Sequence, residues 1–482
     1  RITYDLPFSS IKDYRITDFL PLPIFAAQPL TFAGGGTSAT PPASGQWKYG
    51  PTDTYAAISG ITPTESSDPA ANSVTWSFGT FQDSLDRPAR TDILFTVTAT
   101  NRPFADGLLL TNQAEQIERN ETGDVLTSNT ALAQVQISEP LLDITKGVVS
   151  TNNAAGVFVP PTVAPAGVSF AQPGQAGGAF TGTVTSSGLA TQPIDSNLKN
   201  VLGGDLVKFC IVVENTGSGV HGAFDVAIRD TFDATKFRIP TSGPGLNLQV
   251  TDGAGTTLAF VGNQTDFFGS GITLVDPSAS LGSLGPGKTT GGTVINTGAN
   301  IAVITYDLEL LPTVAPLDVI PNTATLTNYA SQEGGPNFLP PAGLSDKATV
   351  TVQSPEVTKS LVDTSIEDSF NSRTQGVIGE LATFELKVNV PRGTTPSAVV
   401  VDSLPSGLAF VGMVGSPVVD PGVTFTGSAT PVVTSSGQKV TFNLGDVVNA
   451  NADDQLHGIT LRYQAVVLNV SSNVAGKTLT NN

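Results

Sequence analysis

Three residue types recur along the chain in one order, a Lys, then an Asp, then an Asn. They are Lys146, Asp230 and Asn322 in one stretch, and Lys359, Asp402 and Asn481 in the next. An amine and a carboxamide held together in an apolar interior can condense to an isopeptide bond, with ammonia as the leaving group. Burial lowers the Lys pKa and supplies a free amine. It also raises the carboxyl pKa, so that a protonated Asp can polarise the Asn carbonyl. That chemistry needs no metal and no cofactor. An earlier stretch holds Asp18 and Asn112, with the matching Lys expected to lie outside the sequence. The plainer alternative for the same residues is local. Asp before a turn commonly bonds its own backbone two residues on, Asn does likewise, and Lys at a strand start is usually solvated.

The elements that must position these residues repeat with them. YRITDFLPLPIF (14–25), VAIRDTFDATKF (226–237) and VVVDSLPSGLAF (399–410) each run from β-branched or apolar residues through an Asp to a turn and an aromatic. RITYDLPF, DLVKFCIVVEN and ELATFELKVNVP precede them with strand-like alternation. Downstream, SVTWSFGTF (73–81) matches KVTFNLGDV (439–447). TDILFTVTAT, IAVITYDLEL and GITLRYQAVVLN are three versions of one core strand, and each leads toward an Asn. The repeats place boundaries near 138 and 354. The expected domains are a truncated repeat at 1–138 lacking its first strand, a second at 139–354, and a third at 355–482 closest to the shared pattern. An Ala/Pro/Gly/Ser-rich insertion at about 150–200 is read as a loop or excursion without its own core. Short alternating strands, polar turns and no 3.6-residue period imply an all-β chain of tandem Ig-like sandwiches forming an elongated array.

Composition narrows the function. A net charge of −18 with only 13% charged residues leaves no basic stripe for nucleic acid or anionic lipid. With a single cysteine, Cys210, disulfides cannot staple the domains and thiolate metal sites are excluded. Cys210 lies in KFCIVVEN and is read as a small core residue. The uncharged stretch from Gly147 to Ile194 is interrupted by Pro and Gly throughout, so it is no membrane span.

The pattern TKS…GELATFELKVNVP…VVVDSLPSGLAF…ITLRYQAVVLN…TLTNN resembles the isopeptide-forming domains of Gram-positive pilin shafts. It is also similar to the related conserved-repeat domains of bacterial surface proteins, with signature D-x-L-P-x-G-L. The resemblance covers nearly all of 355–482, more loosely 139–354, and the truncated 1–138. It implies a Lys–acid–Asn site at Lys359, Asp402 and Asn481, and a weaker one at Lys146, Asp230 and Asn322. The second copy departs from the signature, reading DTFDATKF, and no sorting signal is visible. Glu380 and Asp205 are rival acids, but each follows a Gly and is expected at an exposed turn.

Other signals are weaker. GSLGPGKT (282–289) matches a phosphate-loop string, but TTGGTVINTG cannot supply the helix such a loop needs. Lys288 is therefore expected to be a solvated turn residue. His221 and His457 sit in loops without a Ser or Cys partner, so no triad is read. Acids are not spaced as an EF-type loop, although scattered Asp such as Asp453 and Asp454 leave Ca²⁺ open as a ligand between repeats. The sequons at Asn120, Asn263 and Asn469 add little. The expected protein is non-enzymatic, extracellular and at the cell surface, self-associating into a fibre, surface layer or adhesin stalk. The alternative is an adhesin module gripping glycan or a protein partner through the insertion or loops near Trp47 and Trp76. Strand donation between subunits is a further expectation.

Overall fold

The computed structural model describes residues 1–34, 38–82, 87–120, 122–369 and 371–481; the side chains of 126 and 127 also lie outside that description. The principal strands are β1 (Ile2–Leu6), β2 (Ile11–Phe19), β3 (Ser73–Phe81), β4 (Ala89–Thr96), β5 (Leu109–Arg119) and β6 (Val125–Gln136). They continue with β7 (Leu142–Thr151), β8 (Leu206–Asn215), β9 (Phe224–Phe232), β10 (Ile301–Leu310), β11 (Val319–Ala330) and β12 (Leu344–Val352). The last five are β13 (Glu356–Thr364), β14 (Leu381–Val390), β15 (Gly393–Ser403), β16 (Lys439–Asn449) and β17 (His457–Val467). Two short α-helices, Tyr55–Ser59 and Ser186–Thr191, join this all-β framework. No described helix is long and apolar enough to cross a membrane.

Each of three stretches builds two sheets around one core. In the second, β7, β8 and β10 form one sheet and β12, β11 and β9 the heart of the facing sheet. Their inward residues alternate, as the two-residue period requires: Val207, Phe209, Ile211 and Val213 from β8 meet Val226 and Ile228 from β9. The third stretch pairs β13, β14 and β17 against β15 and β16. In the first, β1 and β4 face β3, β2, β5 and β6. Trp47 and Trp76 are buried in that core, the rings 6.3 Å apart. Both lie on strands, where a large apolar side chain gains most by facing inward, so neither ring contributes an exposed aromatic surface to the loops near it.

The 150–200 segment differs from its sequence reading. Val184, Leu189 and Ile194 pack with Val149, Cys210, Val212, Ile301 and Val303 in a separate buried cluster. The insertion thus covers the outer face of the β7–β8–β10 sheet. That explains why KFCIVVEN and IAVITY are apolar without alternation, since a strand buried on both faces has no polar side. Cys210 is fully buried there, and desolvation pushes its thiol well above the ordinary value.

Candidate functional site

The inward periodicity of the second stretch is broken at four positions. Lys146 follows Leu142 and Ile144 on the core face of β7, and Tyr306 lies between Ile304 and Leu308 on β10. From the facing sheet, Asp230 continues the Val226–Ile228 row and Asn322 the row of Ile320 and Ala324. All four side chains belong to fully buried residues. The Lys146 ammonium donates to Asp230 Oδ1, and the Tyr306 hydroxyl donates to Asp230 Oδ2. Asn322 Nδ2 donates to the Tyr306 hydroxyl at 2.8 Å, while Asn322 Oδ1 has no hydrogen-bond partner among the described residues. Phe209 and Tyr306 present their ring faces to the Lys146 nitrogen at 5.4 and 5.5 Å. Burial in this apolar setting pulls the Lys146 ammonium down to about 8, against the opposing pull of Asp230. Burial also raises the Tyr306 phenol far above its usual value.

The third stretch repeats the arrangement with less cover. Lys359 Nζ lies 2.5 Å from Asp402 Oδ1, Tyr463 donates to Asp402 Oδ2 at 2.5 Å, and Asn481 Nδ2 donates to Tyr463 at 2.9 Å. Lys359 sits over the Phe384 ring at 5.5 Å, and burial lowers its pKa too. The first stretch holds only part of the set. Asn112 Nδ2 donates to Asp18 Oδ2 at 3.2 Å, and burial pushes the Asp18 carboxyl up to about 6.

The structure therefore brings each Lys, Asp and Asn of the second and third stretches into one hydrogen-bonded chain. Lys146 and Asn322 come from opposite sheets and are linked across the core through Asp230 and Tyr306. Asn481 lies outside any strand, on the tail after β17. The tyrosines were missed. Their signal was present, since IAVITY and GITLRY carry Tyr at the same place in a chain with only seven.

The rival acids are corrected. Asp205 is buried, accepts from Leu202 N and Asn153 Nδ2 at 2.7 Å each, and pairs with Arg392 of the following stretch. Glu380 is also buried and accepts from Val377 N at 2.8 Å and Asn371 Nδ2 at 3.0 Å. A Gly before each lets the loop fold back under its own carboxylate. Lys288 is not simply solvated, because its amine lies 2.8 Å from Asp106 in the preceding stretch. His457 contacts Asp453 at 2.9 Å. A second buried Lys–Asp pair was not anticipated: Lys208 meets Asp307 at 2.6 Å, beneath the insertion, where Gly174 N donates to the same carboxylate at 2.9 Å. The carboxylates of Asp225, Asp276 and Glu333 also converge within 4.8 Å of one another.

Neither the protein-family models nor the curated proteins contain a match to this chain. Among solved structures, it is similar to the C-terminal domain of the Streptococcus pyogenes antigen I/II-family protein AspA, with 13% identity, 71% of this chain and 94% of that one covered, and a TM-score of 0.22. It is also similar to the full-length major pilin RrgB from Streptococcus pneumoniae, with 12% identity, 96% and 57% covered, and a TM-score of 0.22. The full-length major pilin SpaD from Corynebacterium diphtheriae matches at 13% identity, 53% and 59% covered, and a TM-score of 0.17. Likeness at these scores carries no functional argument. The chain's own sheets define its class: tandem all-β sandwiches with a buried amine, carboxyl and carboxamide in the second and third.

Proposed function

We propose that this chain is a structural, tension-bearing module of an extracellular surface fibre, layer or stalk, built from repeats at 1–138, 139–354 and 355–482. A Lys146–Asn322 isopeptide bond would tie together the two sheets of the second repeat, and a Lys359–Asn481 bond would tie β13 to the tail after β17 in the third. The observation that carries this is the fully buried Lys146–Asp230–Tyr306–Asn322 chain. A lysine placed in an apolar core is costly to fold around, and replacing it by hydrophobic residues is often neutral or stabilising. Its retention beside a carboxamide, in two repeats, is accounted for by chemistry that consumes it.

In the reaction, Lys146 passes a proton to Asp230 and becomes a neutral amine. Asp230 then donates to Tyr306, whose hydroxyl turns toward the Asn322 amide. Rotating that amide by half a turn gives the unpartnered Oδ1 the phenol donor, which polarises the carbonyl. Lys146 Nζ attacks Asn322 Cγ, the proton held on Asp230 passes through Tyr306 to Nδ2, the Cγ–Nδ2 bond breaks and ammonia leaves, and the second proton of the attacking nitrogen passes to Asp230, which ends neutral. The product amide carries no charge into the core. Shear between the sheets would then load a covalent bond.

Intact mass tests the reading. Each bond lowers the mass by about 17 Da, the mass of the ammonia expelled. Asn322→Ala and Asn481→Ala should each restore one such increment, apart from the substitution itself. A chain at its unmodified mass after prolonged folding would refute the crosslinks.

A further inference from the structure

The outer face of the β7–β8–β10 sheet carries a row of three polar side chains beside the apolar Cys210, Val212 and Val303. Lys208 on β8 lies opposite Asp307 on β10. On the other side of β10 the short strand Gln249–Asp252 pairs with it, Gln249 opposite Thr305, and continuing that register by two residues sets Asn247 opposite Asp307. A hydrogen bond of 2.8 Å from Asp307 N to Leu246 O holds that alignment. Asp307 therefore stands between an amine and a carboxamide. Lys208 Nζ lies 2.6 Å from Oδ1, and Asn247 Nδ2 donates to Oδ2 at 3.2 Å and to Gln175 O at 3.0 Å. The insertion closes the row from outside, with Gly174 N donating to Asp307 Oδ2 at 2.9 Å. All three residues are buried.

The third repeat shows what the same place holds under a shorter connection. Phe209 stacks on Tyr306 as Phe384 does on Tyr463, so Lys208 corresponds to Thr383 and Asp307 to Gln464. Thr383 and Gln464 likewise lie opposite each other, and Gln464 Nε2 donates to Thr383 Oγ1 at 3.4 Å. Residues 365–380 alone join β13 to β14, whereas 152–205 join β7 to β8. The charged pair thus sits under the long cover and the neutral pair under the short one. Solvation alone would select the reverse, because a buried ion pair is often no better than well-packed apolar residues.

We propose that Lys208 and Asn247 form a second isopeptide bond in this repeat, with Asp307 as the proton carrier. The bond shares the chemistry of the crosslinks above but none of their residues, so each can fail alone. Lys208 passes a proton to Asp307 along their hydrogen bond, and the neutral Nζ attacks Asn247 Cγ. In the tetrahedral intermediate Nδ2 has a lone pair and takes the proton from the carboxyl oxygen it already touches. The Cγ–Nδ2 bond breaks, ammonia leaves, and the second proton of the attacking nitrogen passes to Asp307, which ends neutral. One carboxyl touches both partners, so no tyrosine relay is needed. The two residues sit two strands apart, about 9–10 Å at the backbone, a gap that the lysine stem lying over Asp307 bridges. The product clasps β10 between β8 and the segment leading into Gln249.

Tryptic mapping of the whole chain by mass spectrometry tests this. A branched fragment is expected that joins residues 200–229 to 239–288, uncut at Lys208 and about 17 Da lighter than its two parts together. A chain carrying Asn322→Ala and Asn481→Ala, which block the other two bonds, should still fall about 17 Da below its calculated mass. Adding Lys208→Arg, which keeps the cation but not the nucleophilic amine, should remove that deficit. Should that variant misfold, the map of the native chain decides. Cleavage at Lys208 with residues 239–288 recovered unbranched would overturn the proposal and leave the Lys146–Asn322 and Lys359–Asn481 bonds standing. The branch found without those two bonds would support this one alone.

Discussion

Tyr463 donates its hydroxyl to Asp402 across 2.5 Å and so joins a strand of one sheet to a strand of the facing sheet. Tyr306 does the same to Asp230, whereas Phe95 stands at the corresponding place in the first repeat. The phenol is thus the one part of the site that spans carboxyl and carboxamide.

Tyr306→Phe keeps the stacking on Phe209, whose ring centroid is 5.6 Å away, and deletes only the hydroxyl. Crosslinking of the second repeat should slow by on the order of 10²–10⁴, the usual contribution of a positioned proton donor. Far-UV circular dichroism should be unchanged. Time-resolved intact mass after refolding checks this, and an unaltered rate would remove Tyr306 from the mechanism.

The lowered pKa of Lys146 sets a pH dependence of known sign. Its folded value of about 8 lies below the ordinary 10.5, so the unfolded chain binds more protons between them. The penalty is therefore full below about pH 8 and fades as pH rises to 10.5. With the bond blocked by Asn322→Ala, stability should rise across that window by on the order of 3 kcal/mol, relative to Asn322→Ala with Lys146→Met. Urea titrations at several pH values measure it. In the native sequence, crosslinking should accelerate with pH and level off near 8.

Gly147 holds the lysine strand against the insertion. A Cβ there would meet Ile194 O at 2.8 Å and Ser196 N at 2.9 Å, next to the Val148 N to Ser196 O bond of 2.7 Å. Backbone cannot retreat as a flexible side chain can, so Gly147→Ala should displace β7 and cost about 1–3 kcal/mol. A lower Tm with slower crosslinking is expected, and an unchanged Tm would show that the crossing is loose.

Arg392 reaches from the third repeat to the buried Asp205 and to Gly203 O of the second. Removing it leaves a buried carboxylate short of its cation, although Leu202 N and Asn153 still donate. Arg392→Ala should destabilise the second repeat by about 2–4 kcal/mol, and Lys should rescue only part, lacking the planar fork. Amide exchange at residues 202–206 should quicken. Exchange confined to its native rate would assign the pair a merely peripheral role.

What the sequence by itself determined was local and periodic. Two-residue alternation marks strands, Gly and Pro mark turns, and the order Lys, Asp, Asn recurs along with the repeated strand strings. The tertiary structure decided what depends on contacts far along the chain. Lys146 and Asn322 lie 176 positions apart by their numbers, and only sheet pairing sets them on opposing faces of one core. Tyr306 reads as any apolar-strand aromatic until the register shows that it points at Asp230. Asp205 and Glu380 read as turn acids, because the backbone that folds around them is not encoded by the neighbouring types. The insertion reads as excursion because its partners are the outer residues of β8 and β10, whose missing polar face was the only trace of it. Side-chain type is written residue by residue. Which face it occupies, and what meets it there, is settled by strands that pair across long loops.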